Sequence, residues 1–376
     1  MSKKGKFYIL CWAFSYGSAS SNRLLAYADS AVGKGYEVEI VALLRLEKKN
    51  CRPNKGVVIS GLFPCRIQNK IISKLLSFFT MIWFLLARVK NKDRLLLYGS
   101  AEYLPFLVCF RKKQTYFEVT ECPDLFKPKT YPWSYYVRLW KKVSGIFVIS
   151  RNLKQYFVDY GVDSGKVHVI NMIVDPSRFE GIIRTSKVDK YIAYCGNVNN
   201  DNKDGVGDLI ASFVRYRKNH QDRKLYIIGP IVSQEQKKKY EDFLKCSNAL
   251  DSVVFTGPVP PTAIPQYFVD AEMLVLARPD NLQAKYGFPT KLGEYLLSGR
   301  PVVLTDVGNI TDFLEDQTSA FIAKPEDIDS IVKKMTDISS NPAFAKTVAE
   351  TGKQIALQYF NSDHEVEKIL AKMYID

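Results

Sequence analysis

The stretch 277–301, ARPDNLQAKYGFPTKLGEYLLSGRP, brings together residue types suited to holding a phosphate and a diol. Gly287 and Pro289 form a tight turn, and Thr290 is placed to start a helix. Main-chain amides of that turn, from Gly287 through Phe288 to Thr290, would face an anion, with Lys291 beside it in the first helical turn. Glu294 follows three residues later, on the same helix face. A carboxylate there accepts two vicinal hydroxyls, as those of a ribose. The plainer reading is a surface ion pair between Lys291 and Glu294. The Gly-Phe-Pro turn before them and the Ser-Gly-Arg-Pro stop after them argue against it.

Two other segments offer anion chemistry. In 194–209, YCGNVNNDNKDGVGDL, a strand ends at Gly196 and a helix opens near Gly205. Lys203 stands at the helix entrance, a point charge suited to a phosphate. In 14–23, FSYGSASSNR, Gly17 and Ser18 lie between the first strand and the first helix, where free N–H groups favour an anion. An ordinary Ser or Asn helix cap competes with that reading. Without G-x-G-x-x-G or a Walker lysine, a dinucleotide or P-loop site is not expected. Asp327 and Asp329 have D-x-D spacing, but they open an amphipathic helix, where acids suit the dipole. His168, His220 and His364 have no neighbouring His or Cys partner, so no metal site is expected. The serines around Ser18 do not form a nucleophile elbow.

The elements that must position these residues alternate. Strands are expected at 6–12, 36–43, 94–98, 115–119, 145–149 and 167–170, with a helix over 22–32. The pattern then repeats. Strands are expected at 191–195, 225–228, 253–255, 273–277, 301–305 and 320–323, and helices at 209–217, 235–246, 264–269 and 289–298. Strands separated by helices imply two doubly wound parallel sheets joined near 176–190. Ligands of such sheets bind beyond the carboxyl ends of the strands, so the site is expected in a cleft between two facing domains.

Composition sets the class. The chain is 47% hydrophobic and 24% charged, values of a globular protein, and its length suits two domains. Its seven cysteines are scattered and never form C-x-x-C, which fits a reducing, cytoplasmic compartment. The apolar start reads as a first buried strand rather than a signal peptide. Residues 1–180 carry a net charge of +16 and residues 181–376 one of −2. Such a basic half attracts polyanions or an anionic membrane surface. The most apolar run, 75–87 (LLSFFTMIWFLLA), is too short to span a bilayer. It reads as a core helix, or as a partly exposed helix in a membrane interface flanked by Lys70, Lys74, Arg88, Lys90, Lys92 and Arg94.

The run from Gly287 to Leu296, followed by Gly299-Arg300-Pro301, resembles the donor-nucleotide signature of glycosyltransferase family 4, retaining enzymes of the GT-B fold. Residues 146–161, 166–179, 194–209 and 254–276 resemble other parts of that family. The resemblance is firm over about 145–325 and looser over 1–125. It implies an α/β GT-B protein of two Rossmann-like domains: an acceptor-binding domain over 1–180 and a donor-binding domain over 185–357. The last helix, within 358–376, would pack back on the first domain.

The resemblance further implies a nucleoside-diphosphate sugar of UDP or GDP type as donor substrate, with no cofactor and no metal. Lys203 and Lys291 match the diphosphate-binding residues, and Glu294 the ribose-binding carboxylate. The chain departs from the family at Tyr286, where a first glutamate is usual, and at Asn197, where Arg often follows the glycine. It departs again at Thr120, near the position of a His. Glu121 beside it either contacts a sugar or deprotonates the acceptor, or else the leaving phosphate acts as base. The expected activity is a retaining, metal-independent sugar transfer to a saccharide or lipid-linked saccharide acceptor in surface polysaccharide assembly. The expected site is peripheral to the inner face of the membrane, and no nucleic acid is expected as partner. A silent homologue, a nucleotide-sugar epimerase and a basic nucleic-acid-binding protein are the alternatives.

Overall fold

The structure, a computed structural model, describes residues 5–47, 56–62, 70–127, 131–185, 190–198 and 201–374. The chain divides into two compact units, Met1–Ile173 with Ser362–Asp376, and Val174–Asn361.

The first unit is built on seven strands: β1 Phe7–Ser15, β2 Val38–Glu47, β3 Val57–Gly61, β4 Arg94–Tyr98, β5 Thr115–Val119, β6 Gly145–Val148 and β7 Val167–Val169. Their order is β3-β2-β1-β4-β5-β6-β7, and every pairing is parallel. Parallel sheets are covered on both faces, so their strands read as unbroken apolar runs. In β1 the run Phe7 to Cys11 is accordingly buried throughout. The helix Ala19–Gly33 covers one face through Leu24, Tyr27, Ala28 and Ala31, which recur at helical spacing. The terminal helix Ser362–Met373 joins the same core through Val366, Ile369, Leu370 and Met373. Each such side chain contributes about 1.5–3 kcal/mol on burial. Glu365 on this helix is wholly buried and accepts the Asn171 N–H at 2.9 Å.

The strand order reverses between β1 and β4, which makes their carboxyl ends a topological switch point. A bulge between Cys11 and Ala13 breaks the β1–β2 register at Trp12, whose ring is 46% exposed. Bulges re-aim side chains in this way beside sites.

The apolar run 75–87 lies in the helix Lys70–Trp83, which continues into one π turn, Phe84–Arg88. Met81, Phe84 and Leu85 are buried, while Phe78, Phe79, Trp83 and Leu86 are exposed. Two of its flanking cations are engaged internally. Arg88 meets the buried Glu39 at 2.9 Å, and Arg94 donates to main-chain carbonyls, Met373's among them. Lys90 and Lys92 are exposed. Among the described residues no helix is long and apolar enough to cross a membrane.

The second unit repeats the scheme with β8 Tyr191–Cys195, β9 Lys224–Ile228, β10 Val253–Gly257, β11 Met273–Leu276, β12 Val302–Thr305 and β13 Phe321–Ala323. The order β10-β9-β8-β11-β12-β13 is again all parallel, with its switch point between β8 and β11. Two short helices bracket the turn: Leu282–Tyr286, and Leu292–Leu297, which is the helix expected at 289–298 with a later start. Asn281 caps the first through the Ala284 N–H, and the Gly287 N–H closes it on the Gln283 carbonyl. The second starts only where the Leu292 N–H reaches the Pro289 carbonyl. Strand β3 and the helices Leu104–Arg111 and Trp133–Trp140 were not foreseen. Each is short, and the last has an aromatic-rich sequence of weak helix propensity.

Candidate functional site

The switch point of the second unit holds a buried polar cluster. Lys291 caps the helix Leu292–Leu297, and its Nζ lies 2.6 Å from Asp204 Oδ2 and 3.2 Å from the Tyr194 hydroxyl. The Tyr194 hydroxyl itself donates to Asp204 at 2.8 Å. Tyr194 comes from β8, Asp204 from the short helix Asp201–Asp204, and Arg278 from the end of β11. Arg278 is buried and donates to the Lys203 carbonyl at 3.2 Å.

Two glycines make this geometry possible. A Cβ on Gly196 would lie 2.4 Å from Lys291 Nζ, so the ammonium occupies the space a side chain would take. Gly205 has a φ of +62°, and a Cβ on it would lie 1.8 Å from the Ala277 carbonyl oxygen. Only glycine lets the chain turn into the helix Val206–Arg217 that close to β11.

The electrostatics follow from burial. Burial pushes the Asp204 carboxyl up, but the Lys291 ammonium and the hydrogen bonds from Lys291 and Tyr194 outweigh it and hold the group below its ordinary range. Burial also draws the Lys291 pKa down, partly offset by Asp204. The pair is a cation held in a low-dielectric site by one carboxylate.

Glu294 does not pair with Lys291. It forms an ion pair with Arg178, whose Nη2 also reaches the Pro261 carbonyl at 3.0 Å. Thus the two residues of the signature have separate partners, Asp204 and Arg178, neither of which the sequence reading named. The expected amide cradle at 287–290 is reduced. The Gly287 N–H is engaged with Gln283, Pro289 has none, and Phe288 is buried with its ring against Phe313 and Phe360. Thr290 is exposed there, as are Lys203 and Asn197. The D-x-D pair is structural: Asp327 caps the helix Ile328–Ser340 and Asp329 pairs with Arg215. Among the described residues no group of three or more His, Cys, Asp or Glu is placed to hold a metal ion.

Within the first unit, Gly17 and Ser18 form the β1-to-helix connection. Gly17 has a φ of +84°, and Ser18 caps the helix by accepting the Ser21 N–H at 3.2 Å. That is the capping role weighed against anion binding. Glu121 lies elsewhere, in the wall of a pocket of about 520 Å³ at the β1–β4 switch point. Trp12, Tyr98, Thr120, Trp133 and Trp140 share that wall. Beside it the wholly buried Glu118 of β5 accepts from Arg23 Nε and the Tyr27 hydroxyl, each at 2.8 Å. Arg23 also donates to the Ile170 and Asn171 carbonyls, which ties the segment after β7 to the first helix. The sequence reading found Glu121 but not the aromatic wall, because Trp12 comes from the bulge in β1, far along the chain from Tyr98, Trp133 and Trp140.

Residues 189–341, within the second unit, match the family described as Glycosyl transferases group 1. No curated protein matches the chain in sequence. Among solved structures, Anabaena HepE in complex with UDP and glucose is 15% identical, with 98% of this chain and 99% of that one covered and a TM-score of 0.77. Sucrose-phosphate synthase from Thermosynechococcus elongatus is 13% identical over 97% of both chains, at a TM-score of 0.73. WaaG, a glycosyltransferase involved in lipopolysaccharide biosynthesis, is 12% identical over 98% and 100%, at 0.71. Likeness at this identity establishes the fold, GT-B with two Rossmann-like units. The family match in the second unit supports a glycosyltransferase.

Proposed function

We propose that the protein is a retaining glycosyltransferase that moves a sugar from a nucleoside-diphosphate sugar to an acceptor hydroxyl. The observation that carries the reading is Lys291, an ammonium set over Gly196 at the β8–β11 switch point, inside the segment that matches the group 1 family. In the reaction the bond from the anomeric carbon to the phosphate oxygen breaks, and a bond to the acceptor oxygen forms on the same face. Charge develops on the departing diphosphate, and a pre-placed ammonium in a dry site is most effective against it. Lys203 is assigned to the same diphosphate and Glu294, oriented by Arg178, to the ribose hydroxyls. Asn197, Thr290 and the Phe288 main chain complete the donor side, with Gly287 and Pro289 shaping the turn that presents them. Gly17 and Ser18 are assigned to the donor from the first unit.

The acceptor is assigned to the first unit, where Glu121 takes the proton of its hydroxyl. Lysines rather than a metal neutralise the diphosphate in this proposal. The exposed apolar face of the helix Lys70–Trp83 and the basic first half favour an acceptor held at an anionic membrane surface, as in surface polysaccharide assembly on the cytoplasmic side. The test is incubation with UDP- and GDP-sugars and a panel of glycoside acceptors in the presence of EDTA. Proton NMR of the product reads the new linkage. Retention of the donor's anomeric configuration supports the reading, and an inverted product or transfer only with added metal contradicts it.

A further inference from the structure

We infer that the second unit carries a further anion site at the amino ends of its strands, where Arg184, Arg223 and Arg300 take the phosphate group of a small compound. The inference does not depend on the transferase reading. The site stands at the opposite ends of β8 and β11 from Lys291 and Asp204.

A pocket of about 260 Å³ lies there. In its wall Arg223 immediately precedes β9, Glu272 precedes β11, and Arg300 with Pro301 precedes β12. The charged groups of the lining are Arg184, Arg223, Arg300 and Lys346 against one carboxylate, Glu272. That carboxylate already accepts from Arg223 Nε at 3.1 Å. The acids nearby are engaged as well. Asp222 is held by Arg223 and Lys190, and the buried Asp270 accepts from the Thr185 N–H and hydroxyl. Lys346 pairs with Glu350 on its own helix. Among the described residues Arg184 and Arg300 form no ion pair.

Arg300 is held ready for such a ligand. Its Nε donates to the Ala271 carbonyl at 2.7 Å, which fixes the guanidinium plane. Its two Nη groups have no hydrogen bond among the described residues. A guanidinium fork offers two parallel N–H groups to two oxygens of one phosphate. Burial, and then the neighbouring Arg184, draw the Arg300 pKa down to about 10. An anion placed between two such like charges relieves both. A cation adds to the repulsion, and a carboxylate brings one charge for two arginines. A phosphate monoester brings close to two. The helix Pro342–Tyr359 turns its amino end, with Pro342 and Ala345, to the same pocket and adds the positive end of its dipole. Small-molecule sites start at about 300 Å³. A pocket of about 260 Å³ therefore suits phosphate or a sugar-sized phosphate ester rather than a nucleotide.

Calorimetric titration of the full-length protein at constant ionic strength tests the inference. The probes are inorganic phosphate, a hexose 6-phosphate and the unphosphorylated hexose, at about pH 7.5, where a phosphate monoester is mostly dianionic. Both phosphates should bind saturably and the free hexose should not. Arg184→Gln should weaken the binding by about tenfold or more. Arg184 is exposed, so its loss should leave the melting temperature unchanged. Arg300→Gln should weaken binding as much, although it also gives up the Ala271 contact. Lys291→Ala, which alters the other end of the sheet, should keep it. Hexose phosphate binding about tenfold tighter than phosphate would assign the pocket to a phosphorylated sugar-sized compound, and equal binding would assign it to phosphate itself. Binding of neither phosphate, or binding unchanged in Arg184→Gln, would overturn the inference. So would free hexose binding as tightly as its phosphate, or loss of phosphate binding in Lys291→Ala. UDP and GDP titrated into Arg184→Gln report the donor site separately. Their failure to bind, in a protein whose wild type binds phosphate through Arg184, would count against the donor reading and leave this site in place.

Discussion

Lys291 and Asp204 depend on each other, because each would otherwise be a charge in a mostly buried site. Asp204→Asn leaves the ammonium without its counter-charge and should destabilise the protein by about 3 kcal/mol at neutral pH in urea unfolding. The pH dependence has a definite sign. The folded carboxyl titrates below its unfolded value of about 4, so its stabilising share is complete above that pH. That share is lost as pH falls through the lowered folded value, and the wild type and Asp204→Asn should converge there. Lys291 gives the alkaline counterpart. Its pKa is drawn down by burial, so nucleotide affinity should fall with rising pH at a midpoint below the roughly 10.4 of a free lysine. A midpoint at or above that value, read by calorimetric titration, would speak against Lys291 as the phosphate ligand. Lys291 and Glu294 were legible in the sequence because a Gly-Phe-Pro turn and a Ser-Gly-Arg-Pro stop frame them. Asp204 was not. It sits in the polar run DNKDG beside Lys203, and only the fold decides that the acid turns inward while the lysine stays exposed.

The strands were the most legible elements, since buried parallel strands announce themselves as short apolar runs between glycines and charges. Strands β4, β5 and β8 fall at their expected residues, 94–98, 115–119 and 191–195. The loops that form the two switch points were harder, because close approach is a property of glycine's surroundings and not of its neighbours in sequence. Gly196 is the clearest case: a methyl group there would stand where Lys291 Nζ lies. Gly196→Ala would press on both Lys291 Nζ and the hydroxyl of the buried Tyr194; the lysine can swing aside and the tyrosine cannot, so the variant should still fold but with a lowered melting temperature. It should weaken nucleotide binding by about tenfold or more, since a displaced ammonium no longer meets the diphosphate. Binding equal to wild type, with unchanged circular dichroism, would mean that the ammonium acts from another position. The late start of the helix expected at 289–298 shows the opposite limit. Its propensity reads as continuous, but proline at 289 and the glycine closing the preceding turn defer the start to Leu292.

The two units differ in charge far more than in topology. Both follow the same strand order, but the surplus of +16 belongs to residues 1–180. The exposed Phe78, Phe79, Trp83 and Leu86 lie in that half. Apolar contact and cationic attraction together give membrane binding that is steep in lipid charge and in salt. The protein should co-sediment with vesicles containing anionic lipid and leave neutral ones in solution, with binding falling as salt rises. Phe79→Asp with Trp83→Asp should abolish it without lowering the melting temperature. Equal binding to neutral vesicles, or none to anionic ones, would remove the membrane from the proposal.

The central claim is that the second unit binds a nucleoside diphosphate through Lys291 and Glu294. Thermal stability in the presence of UDP, GDP, ADP and CMP, with and without EDTA, tests it most directly, because a ligand of the native state alone raises the melting temperature by mass action. One nucleoside diphosphate should raise it, unaffected by EDTA, and the rise should vanish in Lys291→Ala and Glu294→Ala. No rise with any nucleotide, or a rise that survives both substitutions, would contradict the claim.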